Sequence, residues 1–419
     1  MFPWVEITIM ILKLMPQVII NPLFWLVIMI IHSQYKRLHR MEKEMFGVNF
    51  SSLRKQVWRS VLYGLVGGIA GSYILTLVGV SLSGAGINYV WPVAIALMLI
   101  SPRLMCFAYA GGLVSLFSLV FGFPEIEIPQ LMALVAVLHM IESILIWLTG
   151  HKDPTPVIIK KPSGELVGGF NLHKFWPIPV VVMLTLLVEE PETITGLLQM
   201  PQWWPVIKPQ EIPADGHELI YSMFLVVAAL GYSDVALTCY PQEKARKSAI
   251  LLGLYSIVLL FAAIGASFFP PLLVGTALLA PFGHELVVHF GGRKELRGTP
   301  IFVAPEQGVM VLTTVPGSIA QKLGITTGDV ILEVGGKVVR DPLDLAGQWE
   351  QGASTKEMVS LRRTGDSWQR HFYSLPEPKD KLGIIPVPAG DTPYMEIKTQ
   401  GALQRWLQKL LWRWKGDRG

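Results

Sequence analysis

Three side chains near the end of a long apolar run, His284, Glu285 and His289, are of types that bind or activate a metal. Zinc-binding helices carry two histidines four residues apart, about 40° round a helix of 3.6 residues per turn, so both rings reach one ion. The histidines of APFGHELVVHFGG are five residues apart, which separates them by about 140°. The spacing favours a structural pair between Glu285 and His289 over a metal site. Gly291 and Gly292 follow at once and predict the end of the helix.

Ionisable side chains also occur inside other apolar segments. His139 and Glu142 lie at i and i+3, on one face of a helix, and Asp234 lies near the end of a later segment. Such residues are costly in a bilayer, so each is a candidate functional group. Hydrogen bonding between helices is the favoured interpretation. The alternative is a proton path or a metal site shared with His284 and Glu285.

The two cysteines, Cys106 and Cys239, lie in or beside apolar runs. Their number and spacing indicate neither a disulfide framework nor a metal cluster, so we interpret them as small apolar side chains. We predict no cofactor and no resident metal. The sequence also carries no Gly-x-Ser-x-Gly turn that would indicate a serine nucleophile.

The composition is that of a membrane protein. Of the 419 residues, 51% are hydrophobic and 16% are charged, whereas soluble domains average about 25% charged residues. Apolar runs of roughly 17 to 25 residues, long enough to cross a bilayer core, recur through about the first seventy per cent of the chain. The sequence predicts nine crossings, at about 17–33, 59–81, 86–101, 104–123, 130–149, 174–189, 218–238, 247–268 and 270–290.

Lysine and arginine set the expected orientation. The connections after the first, third, fifth, seventh and ninth predicted crossings are basic, and the connections between them are neutral or acidic. Basic connections stay on the cytoplasmic side. We therefore expect the N-terminus outside the cell and the C-terminal part in the cytoplasm.

Two segments precede the C-terminal part. Residues 1–58 are expected to form an N-terminal anchor span and a basic cytoplasmic segment, and residues 59–292 a multi-span domain with about eight further helices. Small residues four apart at 64–72 predict a close approach between helices. At 151–174, β-prone residues surround a Pro-Ser-Gly turn, which predicts a small cytoplasmic hairpin.

From residue 297 the pattern changes to short β-like runs separated by turns. GVMVLTTV precedes a short helix in PGSIAQKLGI, and TTGDVILEVGGKVV combines a Gly-Asp turn, a strand, a Gly-Gly turn and another strand. An Asp-Pro helix start and a second hairpin follow. This order resembles a PDZ domain of the bacterial type over residues 297–376. The turn residues of the resemblance are Gly324, Gly328, Asp329 and Gly336.

The resemblance implies a groove in which an extended peptide pairs with an edge strand beside a helix. The edge strand would comprise Gly308, Val309, Met310, Val311 and Leu312. The loop from Pro305 to Gly308 would receive a terminal carboxylate. Leu345 and Trp349 are candidates for the groove wall, with packing in the domain core as the equal alternative. PEQGV replaces the usual apolar-Gly-apolar loop, so internal or strand-type ligands are also candidates.

The tail begins with a Pro-rich linker at 377–400 and ends in a helical pattern at 401–419. One face of that helix is apolar, and lysine and arginine cover the rest. The apolar face includes Trp406, Leu407, Leu410 and Trp414. Such a helix suits the anionic inner leaflet, and docking on the PDZ domain or on a partner is the alternative. The sequence thus predicts an α-helical polytopic membrane domain, a small β-rich (α+β) PDZ domain and an amphipathic C-terminal helix.

As a whole, the chain resembles the MinJ-type cell-division proteins of Gram-positive bacteria. The resemblance rests on the basic exit from the first crossing, on GYSDVALTCYPQEKARKSA, on FGHELVVHFG and on the C-terminal PDZ-like domain. It implies an adaptor, not an enzyme, that links a polar protein of the DivIVA kind to MinD and the MinCD division inhibitor. It also implies a multi-pass protein of the cell membrane, enriched at septum and poles, that binds proteins and lipid but no nucleic acid.

Two other classes stay open at this point. An intramembrane metalloprotease of the site-2 class also combines hydrophobic spans with a PDZ domain, but it requires His-Glu-x-x-His in an early span. Here the motif is out of register and lies in the last predicted span. A transporter is suggested by the ionisable residues inside the spans, although no pair of matching broken helices is evident in the sequence.

Overall fold

The computed structural model describes residues 1–161, 163–188, 198–208, 218–350, 357–364, 367–374 and 381–388. The helices are α1 (Trp4–Leu14), α2 (Pro22–Phe46), α3 (Leu53–Val78), α4 (Ile87–Ile100), α5 (Phe107–Phe121), α6 (Ile128–Thr149), α7 (Pro241–Phe268), α8 (Leu272–Arg297), α9 (Ile319–Lys322) and α10 (Pro342–Glu350). The strands are β1 (Thr155–Lys160), β2 (Leu166–Val188), β3 (Glu218–Ala236), β4 (Val309–Thr314), β5 (Val330–Val334), β6 (Lys337–Val338), β7 (Glu357–Thr364), β8 (Ser367–Ser374) and β9 (Ile384–Pro386).

The first part of the chain is a helical membrane domain, as its apolar runs predict. Among the described residues, four helices are long and apolar enough to cross a bilayer, namely α3, α6, α7 and α8. The α1 segment and α2 together pass the same test as a pair bent by 66°. The bend lies where a 3₁₀ turn ends and Asn21 caps α2, its side chain accepting the N–H of Leu23.

The third and fourth predicted crossings correspond to the shorter helices α4 and α5, of 14 and 15 residues. At 1.5 Å per residue they are about 21 and 22 Å long, less than a bilayer core of about 30 Å. Just before α4, the carbonyl of Gly84 accepts the N–H of Glu127 at the start of α6. The turn between α4 and α5 lies beside the middle of α6, where Cys106 Sγ is 3.0 Å from His139 Nε2. The two helices therefore form a hairpin along half of α6, and the prediction of two full crossings is wrong.

The sixth and seventh predicted crossings, 174–189 and 218–238, are also wrong as helices. They form β2 and β3, which pair antiparallel from Phe170↔Ala236 to Val188↔Glu218. Hydropathy alone does not distinguish an apolar strand from an apolar helix. The composition does favour a strand, because β-branched residues are frequent and Pro177 and Pro179 would break a helix interior.

The hairpin predicted at 151–174 corresponds to β1 and the start of β2. Their register runs from Thr155↔Asn171 to Lys160↔Leu166. Strand β2 then continues past β1 and lies along α3. The prediction had ended the hairpin at the point where β2 leaves β1.

The small residues of α3 make room for β2. A Cβ atom at Gly64 would overlap the carbonyl oxygen of Pro177, and one at Gly68 would overlap that of Pro179. The predicted close approach is therefore real: a strand makes it at Gly64 and Gly68, and helix α6 makes it at Gly67, where a Cβ atom would lie 3.1 Å from side-chain atoms of Ile141 and Leu145. A larger side chain at Gly64 or Gly68 would push β2 off α3.

A buried ionic network joins β3, α7 and α8. Lys244, only 3% exposed, places its Nζ 3.1 Å from Asp234 and 3.7 Å from Glu295. The Glu295 carboxylate also accepts the backbone N–H groups of the two residues that follow β3. Because Glu295 is held in this way, α8 continues beyond the glycine pair expected to end it and stops at Arg297.

The PDZ domain follows the order of elements predicted from the sequence. Its sheet has the strand order β8-β7-β5-β4-β9, and β6 pairs with β5. Strand β9 lies in the segment predicted as a linker, 377–400, so the domain extends further along the chain than expected. The predicted C-terminal helix at 401–419 lies outside the described residues.

The PDZ domain is packed directly on the membrane domain. Phe302, 1% exposed, lies between the rings of Phe170 and Tyr240, with centroids 5.3 and 5.6 Å away. Its carbonyl accepts the N–H of Gly168 in β2. Leu312 of β4 belongs to the same hydrophobic core as Phe170 and Phe302. The domain is thus held against the β2–β3 sheet by a shared apolar core.

Candidate peptide groove and membrane-embedded polar cluster

The strand predicted to receive a peptide is not an edge strand. β4 pairs with β5 through Val309↔Ile331, and on its other side with β9 through Val311↔Pro386. The prediction that Gly308–Leu312 forms the open edge is therefore wrong. It was wrong because the chain returns after β8 and covers that edge itself.

The two predicted wall residues belong to the domain core. Leu345 and Trp349 are 6% and 7% exposed and lie in one cluster with Val309 and Ile331. Burial of that extent leaves little surface for a ligand, so the core alternative describes both residues.

The loop from Pro305 to Gly308 has a structural role at its end. Gly308 has φ +85°, and a Cβ atom there would overlap the carbonyl oxygen of Ile331. A glycine is thus required for β4 to approach β5.

The predicted turn residues all lie in turns. Gly324, Gly328 and Gly336 have φ of +80°, +90° and +77°, a region that favours glycine. Asp329 is 1% exposed, and its two carboxylate oxygens accept from Arg362 at 2.8 and 2.7 Å. These hydrogen bonds raise the pKa of Arg362. The ion pair between Asp329 and Arg362 connects the turn before β5 to strand β7.

A different strand, β9, is an end strand of the sheet. The apolar-Gly-apolar sequence Leu382-Gly383-Ile384 lies at its start. The carbonyl of Gly383 accepts the N–H of Val315, and the N–H of Val387 donates to Met310. Because strand groups alternate in direction, Ile384 N–H and C=O and Pro386 C=O face away from β4. Among the described residues no strand pairs with that side of β9. The Leu-Gly-Ile sequence, within the segment predicted as a linker, was the signal that would have located this edge.

The opposite end of the sheet is β8. Trp368 and Phe372 of this strand are 49% and 69% exposed. Exposed aromatic residues on an end strand are a second candidate contact surface, and they provide a control for tests of β9.

A polar cavity of about 480 Å³ lies where the two domains meet. Its wall includes Cys239 and Glu243 from the membrane domain and Asp329 and Arg362 from the PDZ domain. Burial raises the pKa of the Cys239 thiol to about 11, so this cysteine is a poor nucleophile and metal ligand at neutral pH.

The structure brings three metal-binding side chains together inside the membrane domain. Cys106 from the α4–α5 turn, His139 from α6 and His284 from α8 have their ligand atoms within 4.8 Å of one another. We call them the Cys106 cluster. The sequence analysis raised a metal site shared by His139 and His284 only as the less favoured alternative, and it missed Cys106, because the helices that supply the three residues are far apart in sequence.

The pair predicted between Glu285 and His289 does not form. Glu285 accepts hydrogen bonds from Arg103 at 3.1 Å and Tyr109 at 2.6 Å, because that face of α8 packs on α5. His289 is exposed and contacts Arg293. His284 and His289 do not converge, as their spacing predicts, and the ligand geometry required by a site-2 protease is not formed by them.

The other ionisable residues of the spans have separate surroundings. Asp234 belongs to the Lys244 network and also accepts the hydroxyl of Ser248 at 2.8 Å. Its role is therefore structural. Glu142 is partly buried one turn from His139 on α6. The predicted membrane-surface residues, Trp406, Leu407, Leu410 and Trp414, lie outside the described part of the chain.

Comparisons with known proteins agree with this architecture. Residues 310–360 match the PDZ domain family. The chain as a whole is similar to the cell division topological determinant MinJ of Bacillus subtilis (strain 168), with 24% identity over 348 residues. The aligned region covers 78% of this chain and 82% of that protein. The chain is thus a membrane protein with a PDZ domain, and its similarity extends well beyond the PDZ domain.

Proposed function

We propose that this chain is a membrane-anchored adaptor of cell division that presents its PDZ domain to protein partners in the cytosol. One observation carries the proposal: similarity to a cell division topological determinant covers 78% of this chain and 82% of that protein, far more than a PDZ domain alone. PDZ domains bind extended peptides by adding them to a sheet edge. An adaptor function uses that property and requires no catalytic group.

The proposed orientation has five crossings, namely α2, α3, α6, α7 and α8, with the N-terminus outside. The α4–α5 and β2–β3 hairpins each enter and leave on one side, so they do not alter the side on which the PDZ domain lies. The basic residues at the end of α2, after α6, at the start of α7 and at the end of α8 then share the cytoplasmic side, as the positive-inside rule requires.

The proposed partners are a polar or septal protein of the DivIVA kind and the MinD component of MinCD. An adaptor between them would restrict the division inhibitor to septum and poles. The proposed docking site for one of them is the open side of β9. It offers a peptide three backbone groups, the N–H and C=O of Ile384 and the C=O of Pro386, so pairing is short and side-chain contacts must supply part of the affinity.

Localisation of a fluorescent full chain tests the cellular role. Deletion of residues 297–388 is expected to leave the protein in the membrane and abolish its enrichment at the septum. Septal enrichment that survives the deletion would contradict an adaptor that acts through the PDZ domain. The side of the membrane is tested separately, since a C-terminal reporter active only outside the cytosol would contradict the orientation.

Two variants at opposite ends of the sheet test the groove, and because Ile384 packs partly against the PDZ core while Phe372 is exposed, the folding of each is checked first. Ile384→Asp places a charge on β9, and Phe372→Asp places one on β8 at the other end of the sheet. Crosslinking in cells followed by capture of the full chain is expected to recover DivIVA-like and MinD-like proteins. Ile384→Asp should lose at least one of them, and Phe372→Asp should retain both. The reverse result would move the docking site to β8.

A further inference from the structure

We propose that the Cys106 cluster binds a borderline-soft d-block cation, zinc(II) or copper(I), through Cys106 Sγ and the Nε2 atoms of His139 and His284. The site lies where the α4–α5 hairpin meets α6 and α8. It is independent of the PDZ groove, and it fixes the membrane domain from which the PDZ domain extends.

The distances suit one shared ion. Cys106 Sγ lies 3.0 Å from His139 Nε2 and 3.7 Å from His284 Nε2. Zinc bonds of about 2.3 Å to sulfur and about 2.0–2.1 Å to nitrogen, at a tetrahedral angle, place the two ligand atoms about 3.6 Å apart. The observed distances lie on either side of that value. The two histidine nitrogens lie within 4.8 Å of each other, whereas two zinc–nitrogen bonds at a tetrahedral angle place them about 3.3 Å apart, so side-chain shifts of up to about 1.5 Å would admit the ion.

His139 is oriented as a metal ligand. Its Nδ1 lies 2.7 Å from the carbonyl oxygen of Val135. A carbonyl only accepts, so Nδ1 carries the proton and Nε2 keeps its lone pair, directed at Cys106. Metal-binding histidines are commonly held by this type of bond from the second ring nitrogen. The side chain is 3% exposed, so its rotamer is fixed by packing.

Cys106 is placed where a negative sulfur is favoured. It is the N-cap residue of α5, and its Sγ accepts the N–H of Ala108 at 3.4 Å. The N-terminal end of a helix carries partial positive charge. Metal binding requires the thiolate, and the fold supplies a stabilising field at this position.

Hydrogen bonding within the cluster leaves one buried ring nitrogen over. The thiol hydrogen serves His139 Nε2, and a His284 ring protonated at Nε2 donates to the sulfur. His284 Nδ1 is buried and has no hydrogen-bond partner within the described residues. The ring is positioned by edge contacts with Tyr109 and Tyr255, at centroid distances of 5.1 and 6.0 Å. These contacts direct the imidazole towards the sulfur.

The ligand set defines the class of ion. One thiolate and two imidazoles select zinc or copper over magnesium or calcium, which prefer oxygen. Three protein ligands leave a fourth position for water or a carboxylate. Glu142, one turn from His139, is suitably placed to offset the remaining positive charge.

The test uses the full chain, purified in detergent, stripped of metal and kept reduced. Zinc(II) alone is expected to bind at one equivalent per chain. Cys106→Ser and His284→Asn are each expected to weaken this binding by more than about tenfold. Cobalt(II) loading should give a thiolate-to-cobalt charge-transfer band. Two controls, Cys239→Ser and His289→Asn, should bind as the unmodified chain does. Copper(I) held by the same three residues would equally support the site.

A measurement on the unmodified chain covers variants that do not fold. Bound zinc is expected to slow alkylation of Cys106, read by mass spectrometry of its peptide, and to leave the rate at Cys239 unchanged. A cobalt spectrum without the thiolate band, or an alkylation rate at Cys106 that zinc does not change, would overturn the proposal. So would loss of binding in either control variant.

Discussion

The two sheets in the described part of the chain each have a strand edge that carries proline, and the edges are used in opposite ways. In the membrane domain, β2 turns an edge with Pro177 and Pro179 towards α3. In the PDZ domain, β9 carries Pro386 beside β4. Proline lacks a backbone N–H and is confined to the edges of sheets.

The β2 edge is sealed. Its prolines present no donor, and the next N–H on the same side, that of Val181, donates to Ser72 Oγ at 2.8 Å. The proline carbonyls face Gly64 and Gly68 so closely that the glycine Cα hydrogens lie against the oxygens. A bilayer offers no water to satisfy a free strand edge, and α3 supplies the missing partners.

The β9 edge is open on its outer side in the described part of the chain. Pro386 removes one donor, which limits pairing with other chains, but Ile384 keeps its N–H and C=O. The comparison teaches that the same residue type removes the need for a partner in one domain and restricts the choice of partner in the other.

The largest expected effect comes from breaking the sealed edge with Gly68→Ala. The added Cβ overlaps the carbonyl oxygen of Pro179. Because the groups that collide belong to the backbone of α3 and of β2, little relaxation is possible. We expect the free energy of unfolding in mixed micelles to fall by about 3 kcal/mol or more, with reduced insertion in cells.

The control for this change is Gly275→Ala in α8. A Cβ atom there has no neighbour within 4 Å, and alanine favours a helix. We expect unchanged or slightly higher stability. Equal losses in both variants would show that β2 does not lie on α3 as described.

The sequence predicted the PDZ domain better than the membrane domain, for a physical reason. Turn residues such as Gly324 and Gly328 determine φ locally, so short motifs located the strands and helices of the domain correctly, except for β9. Membrane segments were predicted by hydropathy, which is equal for an apolar helix and an apolar strand. The prolines of β2 were the local signal against a helix.

The sites were harder to predict because they depend on contacts distant in sequence. The Cys106 cluster joins three helices, and no spacing within one segment shows it. Strand β9 pairs with β4, although the β7–β8 hairpin lies between the two strands in the chain. By contrast, the separation of the His284 and His289 rings follows from their spacing, and their contacts differ in the structure as that spacing predicts, because the geometry belongs to one helix.

A smaller effect is expected from Pro179→Ala, which sharpens the comparison by adding a donor to the sealed edge. The new N–H faces α3, and an unpaired buried N–H costs about 1–3 kcal/mol. The more flexible unfolded chain adds about 0.4–1 kcal/mol. We expect a total loss of about 1.4–4 kcal/mol in the unfolding assay. A loss below 1 kcal/mol would mean that the edge has access to water or to another acceptor.

The smallest change in stability is expected from the same substitution at the open edge, Pro386→Ala. Its new N–H points away from β4 and bonds to water, so only the unfolded-chain effect of about 0.4–1 kcal/mol applies. A peptide added to β9 gains one more backbone hydrogen bond, worth about 0.5–1.5 kcal/mol, and its affinity should rise by roughly two- to tenfold. Capture of partners by the full chain, compared with the unmodified protein, measures this gain. Weaker capture together with a stability loss as large as that of Pro179→Ala would show that β9 is covered, and the two edges would then not differ.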